Sequence, residues 1–166
     1  MTVLYYILLI VVFFLFILIQ IYNYLSGKKF IRDYYHYFST TRKSLNYWDN
    51  YCANNPNRSN IIVSFSTIPR RIAEIVPTLK SLLSQQLAPQ KIHLYVPDFS
   101  MREKVKYEIP KEILDLKCFE VKRVQKDWGP STKFIPAIEA HDADQKILVV
   151  DDDNIYPSSM LEAFAR

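Results

Sequence analysis

An α/β fold with a mainly parallel sheet and helices on both faces, preceded by one transmembrane helix, follows from three observations. Between residues 61 and 166, apolar stretches of strand length alternate with stretches whose apolar residues recur at helical spacing. Such alternation implies parallel strands joined by helical crossovers. The run Lys146-Ile147-Leu148-Val149-Val150 enters three consecutive carboxylates, Asp151-Asp152-Asp153. An unalternated apolar run suits a central strand buried on both faces, and it must end where charge begins, because a buried unpaired carboxylate is very costly. Val3 to Ile21 is an uncharged run, apolar but for Gln20, long enough at about 1.5 Å per residue to cross a hydrocarbon core of about 30 Å.

The N-terminal run is bracketed by Tyr5 and Tyr6 on one side and Tyr22 and Tyr24 on the other, as interfacial aromatics are. A cleaved signal peptide would want a basic residue before the run and a small-residue cleavage site after it. Neither occurs, so a membrane anchor over residues 3–23 is the expectation. The bases come afterwards, at Lys28, Lys29, Arg32, Arg42 and Lys43. The positive-inside rule then puts the C-terminal portion in the cytosol; a Golgi-type lumenal orientation is the rival. The division expected is an anchor (1–26), a juxtamembrane connector (27–60) and a globular part (61–166). In the connector, Phe30, Ile31, Tyr34, Tyr35, Tyr37 and Phe38 interleave with bases, which fits either a helix lying on the membrane surface or one packed on the domain.

The balance of charge excludes some classes. Lys and Arg total 21 against 17 Asp and Glu, for a net +4 over 166 residues. So mild an excess does not argue for nucleic acid, and part of it follows the anchor, where a membrane surface explains it. Cys52 and Cys118 form no metal-spaced pair, and their spacing implies neither zinc nor a disulfide framework. The only glycines are Gly27 and Gly129, so neither G-x-G-x-x-G nor a Walker A loop can be written.

In the globular part, Ile61–Ser66 reads as the first strand. Thr67 is expected to cap a helix with Pro69 in its first turn, whose apolar face is Ile72, Ile75, Val76, Leu79, Leu82 and Leu83. Pro77 kinks or restarts that helix. Further strands are expected over 92–96, 119–124 and 147–151, with a short helix over 111–116. Trp128-Gly129-Pro130 turns the chain, Ser131 or Thr132 starts a helix to about Ala140, and Ser158 or Ser159 caps a last helix to Arg166.

The acids should stand at the carboxyl end of their strand, the edge where open α/β sheets bind ligands. Strand alternation directs Asp151 and Asp153 to one side and Asp152 to the other. Two hard oxygen ligands on one side invite Mg²⁺ or Mn²⁺, and with it a phosphate; the plain alternative is an acidic turn before a helix. Three stretches, Ser64-Phe65-Ser66-Thr67-Ile68-Pro69-Arg70-Arg71, Asp127-Trp128-Gly129-Pro130-Ser131-Thr132-Lys133 and Val150-Asp151-Asp152-Asp153, resemble in order and spacing the nucleotide-binding half of a GT-A glycosyltransferase, family 2-like. The resemblance spans roughly residues 60–166. It implies a Rossmann-like GT-A sheet, a nucleotide-diphosphate sugar donor, and Mn²⁺ or Mg²⁺ held by the D-x-D carboxylates.

On this reading Asp153 is the direct metal ligand, and Asp151 binds the metal through water or holds the donor ribose. Lys133 reaches a phosphate or the acids. Thr67 and Arg70, where the first strand meets its helix, suit a uracil edge or a phosphate. Arg71 is taken as surface, Asp98 as a turn acid, and His36, His93 and His141 receive no catalytic role. An EF-hand would want Gly where Tyr156 stands. A haloacid-dehalogenase-like phosphatase would carry its acids near the start of its domain, and a sugar nucleotidylyltransferase resembles G-x-G-x-R after its first strand, where no glycine is found. A GT-A domain normally continues well past its D-x-D with an acceptor-binding half. A shortened product, a second chain supplying that half, or a non-catalytic remnant acting as a membrane-bound interaction protein are the expectations that follow.

Overall fold

The computed structural model describes residues 2–26 and 30–165. Gly27 and the expected bases Lys28 and Lys29 lie outside the described residues, as does Arg166. The chain divides into two compact units, Met1–Phe38 and Ser39–Arg166.

In the first unit, α1 (Thr2–Ser26) includes the stretch Leu4–Leu25, with a mean hydropathy of 2.9 and none of it buried. It is long and apolar enough to span a membrane. A second helix, α2 (Phe30–Arg42), begins in this unit and exposes Ile31, Tyr35 and Phe38.

The second unit starts at Ser39, well before the boundary at residue 60 that the sequence implies. The reason is α3 (Leu45–Ala53), capped by Ser44, whose Oγ accepts from the Tyr47 amide at 3.1 Å. Its buried residues Asp49 and Cys52 are separated by one helical turn, and Cys52 joins the core.

Four strands form one parallel sheet: β1 (Ile61–Phe65), β2 (Lys91–Pro97), β3 (Phe119–Val124) and β4 (Lys146–Val149), in the order β3-β2-β1-β4. Ile61, Val63 and Phe65 of β1 and Ile92, Leu94 and Val96 of β2 share one apolar cluster with Leu79, Leu82 and Leu83 of α4 (Val76–Leu83) and Ile113 of α5 (Lys111–Leu114). Residues of opposite parity point the other way. There Ser64 Oγ donates to the Lys133 carbonyl, and His93 stacks on His141, just past α6 (Ile135–Glu139), with ring centroids 5.5 Å apart. Helices therefore cover both faces, and the α4 side carries the main core. A last helix, α7 (Met160–Ala165), buries Leu161.

Three expectations are corrected. The Pro69–Ile75 segment winds as a 3-10 helix, and α4 restarts after it with Pro77 in its first turn, where a missing N–H costs nothing. Thr67 does not cap this helix: Ile68 holds the cap position without a side-chain bond. The acidic strand is not central. It lies at the edge of the sheet, with Ile147 and Leu148 half-buried and Lys146 and Val149 exposed. An apolar run reports what a strand is able to bury, not how many neighbours it has.

Candidate functional site

At the carboxyl ends of the strands the chain reverses direction across the sheet. It steps from β1 to β2 to β3, then returns to place β4 on the other side of β1. Such a switch point opens a crevice between the two strands where the connections diverge. A cleft of about 480 Å³ occupies this position, walled by Thr67 and Arg71 after β1, Arg102 and Tyr107 after β2, Lys133 before α6, and Asp151 and Asp152 after β4.

The ladder of β4 ends at Val149, and a last bond joins the Val150 amide to the Ser64 carbonyl at 2.9 Å. Beyond it the backbone turns, so strand alternation does not extend into the acids. Asp152, expected to face away, faces the first strand's loop: it accepts from Thr67 Oγ1 at 2.5 Å, and its side chain is only 12% exposed. Its carbonyl accepts from Thr78 Oγ1 at 2.9 Å, tying the acidic loop to α4. The loop is braced from below by Tyr156, whose hydroxyl accepts from the Asp151 amide at 2.8 Å and donates to the Asp151 carbonyl at 3.2 Å. Burial, foremost, pushes the Tyr156 phenol above its usual range, so it stays a neutral hydroxyl able to do both.

Cations meet these acids. Lys133 Nζ lies 2.5 Å from Asp151 Oδ1. Arg71 Nη2 lies 3.1 Å from Asp152 Oδ1 and 3.0 Å from Asp153 Oδ2. Burial works against the Arg71 charge, but the hydrogen bond to Asp153 and the charges of Asp152, Asp153 and Glu74 outweigh it and raise its pKa further. Arg70, the expected donor-site arginine, turns away: its guanidinium is 3.2 Å from Glu103 Oε1, and its side chain is 70% exposed. The structure thus turns Arg71, and not Arg70, toward the acids. The tighter 3-10 winding after Ile68 sets which of the two neighbours points at the acids, and the helix expected from the sequence has a different angular step.

The segment between β2 and α5 forms the far wall. Tyr107 donates to the Thr67 carbonyl at 2.9 Å, and Asp127 accepts from the Met101 and Gly129 amides, each at 2.8 Å. Gly129 has a φ of +58°, a conformation a β-carbon would strain, which is why a glycine follows Trp128. Arg102 lines the cleft with no carboxylate partner among the described residues, unlike Arg71 and Lys133. Nothing in the sequence pattern singles it out, because its position depends on a loop closed by the Ser100 amide on the Val105 carbonyl at 2.8 Å.

No family model matches this chain, and no curated protein or solved structure matches it.

The site is therefore judged on its chemistry. Thr67, Lys133 and Asp151 are brought together as expected; Asp153 stands beside them, 59% exposed and paired with Arg71; Arg70 is not among them. Among the described residues no group of three or more His, Cys, Asp or Glu side chains forms an all-protein metal cage. Mg²⁺ and its relatives need no such cage when phosphates complete the shell: one or two carboxylates suffice. Asp151, Asp152 and Asp153 follow one another on a single turn, where they meet Lys133, Thr67 and Arg71. Asp98 is a surface acid 4.0 Å from Arg123, and His93 and His141 lie on the opposite side of the sheet from the α4 core, away from the cleft lining.

Proposed function

We propose that this chain is a membrane-anchored glycosyltransferase-like protein of the GT-A type, whose cleft binds a nucleotide-diphosphate sugar together with Mn²⁺ or Mg²⁺. The observation that supports it is the convergence of Thr67, Arg71, Arg102, Lys133, Asp151 and Asp152 on one crevice at the β1–β4 switch point, with Asp153 paired to Arg71 beside it. Asp151 and Asp153, with Asp152 beside them, would hold the metal, which when bound supplies Lewis-acid neutralisation of the diphosphate oxygens. Arg102 and Lys133 offer charge to the phosphates, and Thr67, pinned by Asp152 and Tyr107, fixes the wall against which the nucleoside rests.

One observation favours a second reading, a non-catalytic remnant serving as an interaction protein: each acid already has a protein partner, in Lys133, Thr67 or Arg71. Calorimetric titration of the full chain in detergent micelles with uridine and guanosine diphosphates, with and without Mn²⁺, separates the two. Metal-dependent binding of either nucleotide supports the donor site. Absence of binding to both, by a chain shown to be folded, favours the saturated structural cluster.

The proposed orientation keeps the globular unit in the cytosol, where nucleotide sugars are supplied. Asn57-Arg58-Ser59 is a glycosylation acceptor sequence with Asn57 exposed. In eukaryotic cells, glycan attached at Asn57 would establish the lumenal alternative; protease digestion of the globular unit from the cytosolic side supports the orientation proposed here.

A further inference from the structure

The face of α3 turned away from the core presents aromatic rings to the outside. Tyr47 and Tyr51 stand four positions apart, so they share one side of the helix, and they are 47% and 41% exposed. Trp48 is half-buried between them, its ring edge-on to Tyr47 at 5.1 Å and to Tyr51 at 5.5 Å between centroids. Its indole nitrogen donates to the Thr40 carbonyl at 3.0 Å, which fixes the trio. A shallow hollow of about 430 Å³ opens here, lined by the two tyrosines, Pro56 and the amides of Asn50, Asn54 and Asn55. Two ammonium groups border it. Lys43 Nζ lies 4.8 Å from the centre of the Tyr47 ring, and Lys117 Nζ donates to Asn50 Oδ1 at 2.8 Å. The acid of α3, Asp49, is turned inward, buried and bonded to the Lys117 and Cys118 amides, both at 2.9 Å.

The chemistry of this face and its place in the chain indicate what covers it. Tyrosine and tryptophan rings settle at the headgroup level of a bilayer, and ammonium groups beside them meet lipid phosphates. A protein partner would favour a lysine-poor patch with an apolar centre, whereas no Leu, Ile, Val or Met lines this hollow. The amides suit the hydrogen-bonding headgroup layer and not the hydrocarbon below it. In sequence, α1 ends at Ser26 and the globular unit begins at Ser39, so α3 is held on a short tether to a helix fit to span a bilayer.

We propose that the Tyr47–Tyr51 face of α3 rests in the headgroup layer of the bilayer that anchors α1. This face belongs to the amino rim of the sheet. Asp49 bonds the chain entering β3, and Asn55 Nδ2 donates to the Gln85 and Gln86 carbonyls, at 3.3 and 3.1 Å, in the turn from α4 to β2. The cleft opens at the carboxyl rim, so the contact leaves it open to solvent. The inference rests on the proposed membrane anchor and is independent of what the cleft binds.

The full chain would be placed in nanodiscs of phosphatidylcholine with a minority of phosphatidylserine, fewer than one chain per disc, with acyl chains brominated close to the glycerol. Trp128→Phe leaves Trp48 as the sole tryptophan and therefore the reporter. Bromolipid should quench Trp48 emission, and iodide, which stays in the water, should quench it weakly. Tyr47→Ser combined with Tyr51→Ser, checked for folding by far-ultraviolet circular dichroism, should lower the bromolipid quenching about twofold or more while the chain stays in the disc. Trp48 unquenched by bromolipid in a chain the discs retain, or quenching that the double variant keeps in full, overturns the proposal and leaves the anchor standing. Protection of Trp48 from iodide that appears only when discs carry two chains assigns the face to a second copy and overturns it too. A chain that the discs do not retain refutes the anchor and the inference together.

Discussion

Carboxylates stand at both rims of the sheet, and they are held in different ways. At the amino rim Asp49 is buried and satisfied by two backbone amides, those of Lys117 and Cys118. At the carboxyl rim Asp151, Asp152 and Asp153 are held by side chains: Lys133, Thr67 and Arg71. A backbone amide at the start of a strand has nowhere else to go. A lysine or arginine side chain rotates away at little cost when a stronger ligand arrives, since partly exposed ion pairs contribute only about 0–1 kcal/mol. The partner type therefore marks Asp49 as part of the scaffold and Asp151 and Asp153 as exchangeable, with the half-sequestered Asp152 between them.

The largest effect expected is at the amino rim. Asp49→Ala strands two buried N–H donors, each worth about 1–3 kcal/mol when unsatisfied. A loss of about 3 kcal/mol in denaturant unfolding is expected, with nucleotide affinity of the remaining folded protein unchanged. A loss below about 1 kcal/mol would break the distinction between the rims. At the carboxyl rim the signs should invert. Asp153→Asn should weaken Mn²⁺-dependent uridine diphosphate binding by about tenfold or more, which is about 1.4 kcal/mol. Its stability should hold or rise, because it removes one of three crowded like charges. Asp152→Asn, by contrast, should cost about 1 kcal/mol of stability through its bonds to Thr67 and Arg71. Unfolding of the Asp153→Asn chain, or identical behaviour of the two variants in calorimetry, would put these acids in the same class as Asp49.

The subtlest test concerns pH. Burial holds the His93 imidazole down at about 4; the Lys122 charge helps, Glu120 opposes, and His141 and Lys91 add to the lowering. Tyr95 lies against the same ring, its hydroxyl 3.5 Å from Nδ1. The unfolded chain takes up this proton near pH 6.5, the folded chain only near 4. The neutral ring's contribution is complete above pH 6.5 and is lost progressively as pH falls towards 4. Thermal midpoints recorded from pH 7.5 to 4.5 should therefore fall, and His93→Gln should flatten that part of the curve. An unchanged slope in the variant would assign it to the carboxylates instead.

Much of this could be read before any coordinates. Strands at 61, 92 and 147 were marked by apolar runs and that at 119 by partial alternation, and all four share one parallel sheet. The meeting of Thr67, Lys133 and Asp151 was legible because each stands where an element begins or ends, and in a parallel sheet those points gather at one edge. Asp152 was misread because strand alternation was carried past the point where the strand stops, and nothing in the residue pattern marked Arg71 over Arg70. The 3-10 turn after Ile68 and the turn after Val150 each reset the direction of the next side chain.

By itself the sequence determined the apolar N-terminal helix, the α/β alternation and the position of the acids at a strand end, because each depends on residue type and spacing within one segment. Only the tertiary structure decided that β4 is an edge strand, that α3 belongs to the globular unit, and that Arg71 and not Arg70 meets the acids. Those outcomes depend on pairs of residues dozens of positions apart, whose contact is settled by how the layers pack and carries no local signature in the chain.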